Sequence, residues 1–352
     1  MDILLMIIYI TLMLSVLVFI HEGGHYLTAR AFGVRVTEFM LGLPGPRIGF
    51  TWRGTKFGIT AVPLGGYARV CGMEVGEQSP HLEKVMAYAY EHGTVLMEDV
   101  ARDVGISDDE AYAALDELTE WGTLIAPARK DEFNIYRTPE VQGRSAGEPR
   151  FLEDPHVFYE SETKQQYRFL PFWKRTVILL AGPAMNLLFA MIIFVILFSL
   201  IGFDVPNQTT GEMQHMTVDP FKAIGAGFNY IGAVVAAVVG LFNPVTAAET
   251  VSQSTSLMGM AVMSKSAVEQ GATSILSFMA MISVSLGIMN MLPIPPLDGG
   301  RFVVEIYQKV RRKFISYKAL NYLSMAGIVL FMGLFIVMLN QDIQRFIFGN
   351  WG

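Results

Sequence analysis

Cysteine occurs once in the 352 residues, at Cys71, so no internal disulfide braces this chain and no redox compartment follows from it. A lone cysteine reads most simply as a small buried hydrophobe. Charge is scarce as well: Asp, Glu, Lys and Arg together make up 16% of the chain, against roughly 25% in soluble domains. Hydrophobic residues reach 52% and the mean hydropathy is +0.40, which excludes an ordinary soluble protein and defines a membrane protein. The net charge of −6 argues against nucleic acid as a main partner. No basic residue precedes the first apolar run, and no small-residue cleavage site follows it. That run therefore reads as a retained span and not a cleaved leader.

Four uncharged runs reach the length of about 20 residues that a span needs: Ile3–Ile20, Val177–Phe203, Ser274–Leu297 and Ala319–Asn340. The loops orient them. Arg30, Arg35, Arg47, Arg53, Lys56 and Arg69 follow the first run, and Lys174-Arg175 precede the second. Arg301, Lys309, Arg311, Arg312, Lys313 and Lys318 lie between the third and fourth, against the single acid Glu305. The positive-inside rule puts these loops in the cytoplasm and both termini outside, in a multi-pass protein of the inner membrane. A fifth stretch, Phe221–Phe242, is apolar but would need a return crossing before residue 274. The only segment available, Leu257–Met263, is too short. The stretch reads as an interfacial or re-entrant helix on the outer side.

The first run ends in His21-Glu22-Gly23-Gly24-His25. Ionisable groups inside a span are costly and mark function. Histidines four apart share one helix face, where both imidazoles can reach one Zn²⁺ while the intervening Glu22 acts on the attacking water. The alternative is a pair of histidines joining helices by hydrogen bonds. Tetrahedral zinc needs one more protein ligand. Asp298 in MNMLPIPPLDGGR is the only acid between Glu269 and Glu305. His21 lies about 18 residues along its run and Asp298 about 24 along its own, so both arrive near the cytoplasmic face, roughly 27–36 Å from the outer one.

Between the spans, Ile48, Phe50 and Trp52 alternate with small or polar residues, Arg53-Gly54-Thr55 turn the chain, and Phe57, Ile59 and Ala61 continue the pattern of a membrane-associated β-hairpin. Pro63 and Gly65-Gly66 turn it again. This completes a first unit, 1–77. Residues 78–142 have soluble character: helices over Leu82–His92, Leu96–Val104 and Ser107–Trp121, the last opened by the capping box Ser107-Asp108-Asp109-Glu110. Two strands around a charged turn follow in LIAPARKDEFNIYRT. Three helices and a hairpin make a winged-helix-like α+β domain. From His81 to Glu140, however, five basic residues face fourteen acidic ones, and the would-be recognition helix has no Lys or Arg. That charge opposes DNA and favours a cytoplasmic protein partner. Residues 143–168 read as a linker, and 169–352 hold the remaining three spans.

HEGGH on a first span, AVPLGGY, AGPAMN on the second and NMLPIPPLDGG on the third, in this order, resemble the site-2 protease family of intramembrane zinc metalloproteases (peptidase M50-like). The match covers residues 1–75, 170–203 and 250–315. The resemblance implies His21, His25 and Asp298 as zinc ligands and Glu22 as general base. It also implies substrate-side roles for Asn186, Asn290, Gly65 and Gly66, and a single-span membrane protein in the lipid bilayer as substrate, such as an anti-sigma factor or a signal-peptide remnant. Two features depart from the family pattern: residues 204–220 are too few for a PDZ domain, and Leu257-Met258-Gly259-Met260 stands where relatives read Gly-Pro. A peptide bond inside a helix must be unwound before attack, and the edge of the 48–62 hairpin is expected to receive it as an added strand. A metal transporter using the same three ligands, or a membrane-tethered regulator, are the other classes the sequence admits.

Overall fold

A computed structural model describes residues 2–73, 78–128, 131, 134–141, 143–206, 212–312, 315 and 317–349. Five of its helices are long and apolar enough to cross a membrane: Ile3–Ala31, Phe172–Ile201, Pro220–Gly240, Ala272–Asn290 and Ala319–Phe346. The sequence pattern allowed four and read Phe221–Phe242 as an interfacial or re-entrant helix on the outer side. Length and composition alone admit it as a fifth. Their outward faces carry exposed Leu4, Ile7, Leu12, Ile192, Val239 and Ile336, as expected of surfaces solvated by lipid tails.

Helix α1 (Asp2–Ala31) packs along α6 (Phe172–Val195). The close approach depends on Gly24, where a Cβ would run into the carbonyl of Ala181. Helix α6 then packs on α10 (Ala272–Asn290), and Ala190, Ile193, Phe194, Ala280, Val284 and Ile288 form the core between them. A π-helical turn prolongs α6 to Ile201. Beyond it come a two-stranded hairpin, β7 (Phe203–Pro206) with β8 (Met213–Met216), then α7 (Pro220–Gly240) and the short α8 (Ala247–Gln253). Helix α9 (Leu257–Gln270) lies against α1 and α10. Its N-terminus is capped from another helix. Asp342 of α12 (Tyr317–Phe346) accepts from Ser256 N (2.7 Å), Ser256 Oγ (2.6 Å) and Gly259 N (3.1 Å). A Cβ at Gly259 would stand 2.6 Å from that carboxylate.

After α10 the chain passes through Met291–Leu297 and re-enters a helix at Asp298, the first residue of α11 (Asp298–Arg311). Side chains at Gly299 or Gly300 would collide with the backbone of Met291–Leu292 and Ile294–Pro295, so only glycine lets α11 start this tightly against the preceding loop.

The expected hairpin is part of a larger sheet. Strands β2 (Arg47–Trp52) and β3 (Thr55–Thr60) pair antiparallel around Arg53-Gly54, both at positive φ as a type I′ turn requires. Inside them β1 (Val36–Leu41) pairs parallel to β3, and β4 (Gly66–Val70) closes the far edge, in the order β2-β3-β1-β4. Ile48, Phe50 and Trp52 of β2 are exposed.

The inserted module contains α2 (Leu82–His92), β5 (Thr94–Leu96), α3 (Met97–Val104), α4 (Asp108–Glu120) and β6 (Ile135–Arg137). All three helices stand where the sequence puts them, and the Ser107/Glu110 capping box is formed in both directions. Buried Leu82, Val85, Met86, Leu115, Leu118 and Trp121 make its core. The strand β6 pairs with β5 as well as bridging Ile125. Residues 129–130 and 132–133 of the charged turn lie outside the described residues.

The linker reading of 143–168 fails over its second half. Pro155–Thr163 is a helix, α5, with Asp154 capping it and Phe158 and Tyr159 packed on the module core. Its buried Glu162 receives both guanidinium arms of Arg35, at 2.7 and 3.0 Å. Apolar spacing gave little sign of this helix because only the adjacent Phe158 and Tyr159 pack on the module core, and the rest of its anchor is a buried ion pair.

Candidate metal centre

His21 and His25 project one turn apart from α1 toward α6, and Asp298 meets them from the first turn of α11. The His21 Nε2 and His25 Nε2 atoms are 3.3 Å apart, and Asp298 Oδ2 stands 3.0 Å from the first and 3.3 Å from the second. Adjacent donors of a tetrahedral zinc with bonds near 2.05 Å are about 3.3 Å apart. Both histidines are buried.

The second ring nitrogens decide what the first can do. His25 Nδ1 lies 2.8 Å from the carbonyl oxygen of Ile178, to which it can only donate, so its Nε2 carries a lone pair. His21 Nδ1 lies 3.2 Å from the amide group of the fully buried Asn186, whose Oδ1 otherwise has no partner. With the amide turned so that Oδ1 accepts from His21 Nδ1–H, the orphaned oxygen is satisfied and the second Nε2 lone pair is freed. Two lone pairs and a carboxylate oxygen then converge with no proton between the rings. A cation answers that arrangement, and the donor set suits zinc. Gly182 of α6 keeps the space open, since a Cβ there would lie 2.7 Å from His21 Nε2 and closer still to His25 Nε2.

Glu22 faces β4. Its Oε2 accepts from the backbone N–H of Ala68 at 2.9 Å. A cavity of about 280 Å³ opens here, and its wall includes His21, Glu22, Tyr67, Asn290, Asp298 and Arg301. Asn290 donates to the Leu286 carbonyl at 3.0 Å.

Six of the eight residues singled out in the sequence thus come together: His21, Glu22, His25, Asn186, Asn290 and Asp298. Asn186 stands behind His21 and contacts its ring; it is not among the residues that line the cavity. Gly65, at φ +83°, and Gly66 shape the entry to β4 and do not line the cavity. A Cβ at Gly66 would press on Met40 O (2.9 Å) and Val18 (3.0 Å). The strand beside Glu22 is β4, at the opposite edge of the sheet from the exposed β2 of the expected hairpin. Sequence reasoning missed Gly24, Gly182, Tyr67 and Ala68. The glycines were visible inside HEGGH and AGPAMN. Ala68 contributes only its backbone N–H, which no residue type announces.

Apolar helices, one of them carrying two imidazoles and a glutamate, with a carboxylate brought against the imidazoles from α11, fit a metal-dependent hydrolase built into a membrane. The profile of Peptidase family M50 matches residues 9–334, and the chain belongs to that family. Among its relatives, "Putative zinc metalloprotease Atu1380" of Agrobacterium fabrum is 26% identical over 363 residues, covering 96% of this chain and 95% of the relative. "Regulator of sigma-W protease RasP" of Bacillus subtilis is 24% identical over 421 residues, covering 96% and 98%. The protein is an intramembrane zinc metalloprotease that hydrolyses a peptide bond in or near the transmembrane segment of a membrane protein. Nothing supports the transporter reading.

Proposed function

We propose that His21, His25 and Asp298 are the zinc ligands and Glu22 the general base of this protease. The convergence of Nε2, Nε2 and Oδ2 within 3.0–3.3 Å carries the assignment. Zinc, when bound, supplies Lewis-acid polarisation of the scissile carbonyl and lowers the pKa of water within its reach. Glu22, steadied by Ala68 N–H, takes the proton of the attacking water as its oxygen bonds to the carbonyl carbon. As the C–N bond breaks, Glu22 returns that proton to the departing nitrogen. Asn186 and Ile178 O hold the two rings in the donor tautomers. Asn290 offers a polar contact to substrate from the cavity wall. The outer edge of β4 receives the unwound substrate as an added strand, a position supported by the hydrogen bond between Ala68 and Glu22 on that edge.

Both termini lie outside, both basic loops inside, and four helices cross the inner membrane. Pro220–Gly240 stays at the outer face. The ends of α7 support this. Val218 N–H donates to Phe198 O at the end of α6 (2.9 Å). At the other end, Gly240 O accepts from Thr246 just ahead of α8, and the Ser254 carbonyl beyond α8 accepts from Arg345 at the end of α12. In this reading α6 and α12 both run outward, so both ends of α7 share one side. The winged-helix-like module is cytoplasmic and contacts protein, its acidic α4 disfavouring DNA. An anti-sigma factor or a signal-peptide remnant is the substrate class, consistent with the name of the Bacillus relative.

Comparing the membrane proteomes of cells carrying wild-type and Glu22→Gln protein tests the reading. Single-span fragments should accumulate with the variant. Undiminished cleavage by Glu22→Gln protein would sink it.

A further inference from the structure

The helix that carries Asp298 is gripped two turns further on by a buried polar contact for which the hydrolytic chemistry has no use. Glu305 lies seven residues beyond Asp298, on the same face of α11. It is buried, its Oε2 stands 3.0 Å from Arg175 Nη1, and its Oε1 accepts from Tyr167 Oη at 3.3 Å. A buried carboxylate is expensive unless it is paired and hydrogen-bonded, and apolar residues of similar size would hold two helices together as well or better. What this contact adds over apolar packing is direction, which the Tyr167 hydrogen bond supplies; the Arg175 contact is an ion pair in which Glu305 Oε2 makes no hydrogen bond.

Each of the three residues leads to a different part of the site. Arg175 sits in the first turn of α6, three residues before Ile178, whose carbonyl orients His25. Glu305 continues the helix of Asp298. Tyr167 N–H donates to the carbonyl of Cys71 at 2.8 Å, directly beyond β4, the strand whose Ala68 holds Glu22. Apolar packing of Val70, Ile178, Leu179 and Phe302 around Tyr167 brings α6, α11 and the end of β4 together at the same place. An error of one ångström in the placement of a ligand or base is costly, and these three elements are far apart in sequence.

We propose that Tyr167, Arg175 and Glu305 form a registration clamp: positioning residues that set Asp298 against His25 and Glu22. The clamp rests on the assignment of Asp298 as a zinc ligand, and it adds a role for residues that touch neither metal nor substrate.

The test uses full-length protein purified in detergent and loaded with zinc. Release of zinc to a chelator is followed, together with kcat and KM on a single-span substrate. Tyr167→Phe removes one hydroxyl and leaves the ring packed. It should speed zinc release severalfold, less than the about 10–100-fold that direct partners of the ligands command, and lower kcat with KM nearly unchanged. Glu305→Gln and Arg175→Lys should do the same. The apolar pair Arg175→Met with Glu305→Leu should restore thermal stability but not zinc retention. Asp298→Asn is the control for the ligand assignment. If it retains zinc as wild type does, that assignment fails. If Asp298→Asn loses zinc while folded Tyr167→Phe and the apolar pair release it at the wild-type rate, the clamp is wrong. Should Glu305→Gln not fold, Tyr167→Phe decides alone.

Discussion

At the scale of single residues, the site depends on a few atoms whose partners leave them no other use. A general base contributes about 10²–10⁴-fold, so Glu22→Gln should lower kcat at least a hundredfold while zinc stays bound, as elemental analysis would show. The contact of Asn186 with His21 predicts a different signature. Asn186→Leu should weaken zinc binding by about 10–100-fold, the usual cost of losing an outer-sphere partner, with activity recovering as zinc is raised in a titration. Cys71 makes a third case. Burial pushes its thiol up to about 12, and its side chain is 1% exposed. Maleimide should leave native protein unmodified at pH 7–8 and label it fully once denatured. The histidines, Glu22 and Asp298 were legible in the sequence because ionisable groups stand out against apolar runs. Tyr67 and Ala68 were not, because an aromatic residue in a strand and a backbone N–H are unremarkable in any sequence.

At the scale of elements, β4 has the most to lose from one substitution. Ala68 turns its N–H away from β1 toward Glu22, so proline at this position on the sheet's edge removes that bond without breaking the ladder. A hydrogen bond to a charged group is worth about 1.5–3 kcal/mol. Ala68→Pro should therefore lower kcat by roughly 10–100-fold while zinc content, measured on the same preparation, is retained. The helices were readable because uncharged runs and a capping box are local signals, and α2, α3 and α4 need only their own residues. The sheet was read in half. The antiparallel β2–β3 hairpin is local, with its turn written in Arg53-Gly54. The parallel pairing of β1 with β3 joins segments across an intervening strand, and the VTEFML pattern of β1 is buried on both faces without clean alternation. Helix α5 escaped notice because its anchor, Glu162 on Arg35, joins residues 127 apart.

At the scale of the whole molecule, the module is attached to the catalytic body and not merely strung from it. Arg35, just ahead of β1, reaches Glu162, Gln165 and the Trp121 carbonyl, and Arg168 pairs with Glu117. Replacing residues 80–150 by a Gly/Ser linker spares α5 and the Tyr167 segment but removes Glu117 and Trp121. Zinc should stay bound, while the set of substrates cut, or their rates, should change in a membrane-proteome comparison. Unchanged cleavage by a folded, zinc-loaded variant would exclude a selecting role. Orientation is tested by impermeant thiol labelling of single cysteines in intact cells. Positions 212, 219 and 243 should react and position 120 should not. A reactive 219 with a silent 243 would make Pro220–Gly240 a true crossing.

The sequence by itself determined the class of the protein and its candidate reactive groups. Apolar runs can be solvated only by lipid, and HEGGH with a lone distant aspartate can serve only a few chemistries. It determined the local elements as well, wherever spacing, caps and turn residues act within a few positions. Only the tertiary structure decided which strand stands beside Glu22, that Asn186 meets the His21 ring, and that α6, α11 and the end of β4 meet at Tyr167. Each of these is a contact between segments tens to hundreds of residues apart, made by backbone groups and buried polar pairs. Their partners are chosen by how helices and sheet pack, and no local pattern encodes that choice.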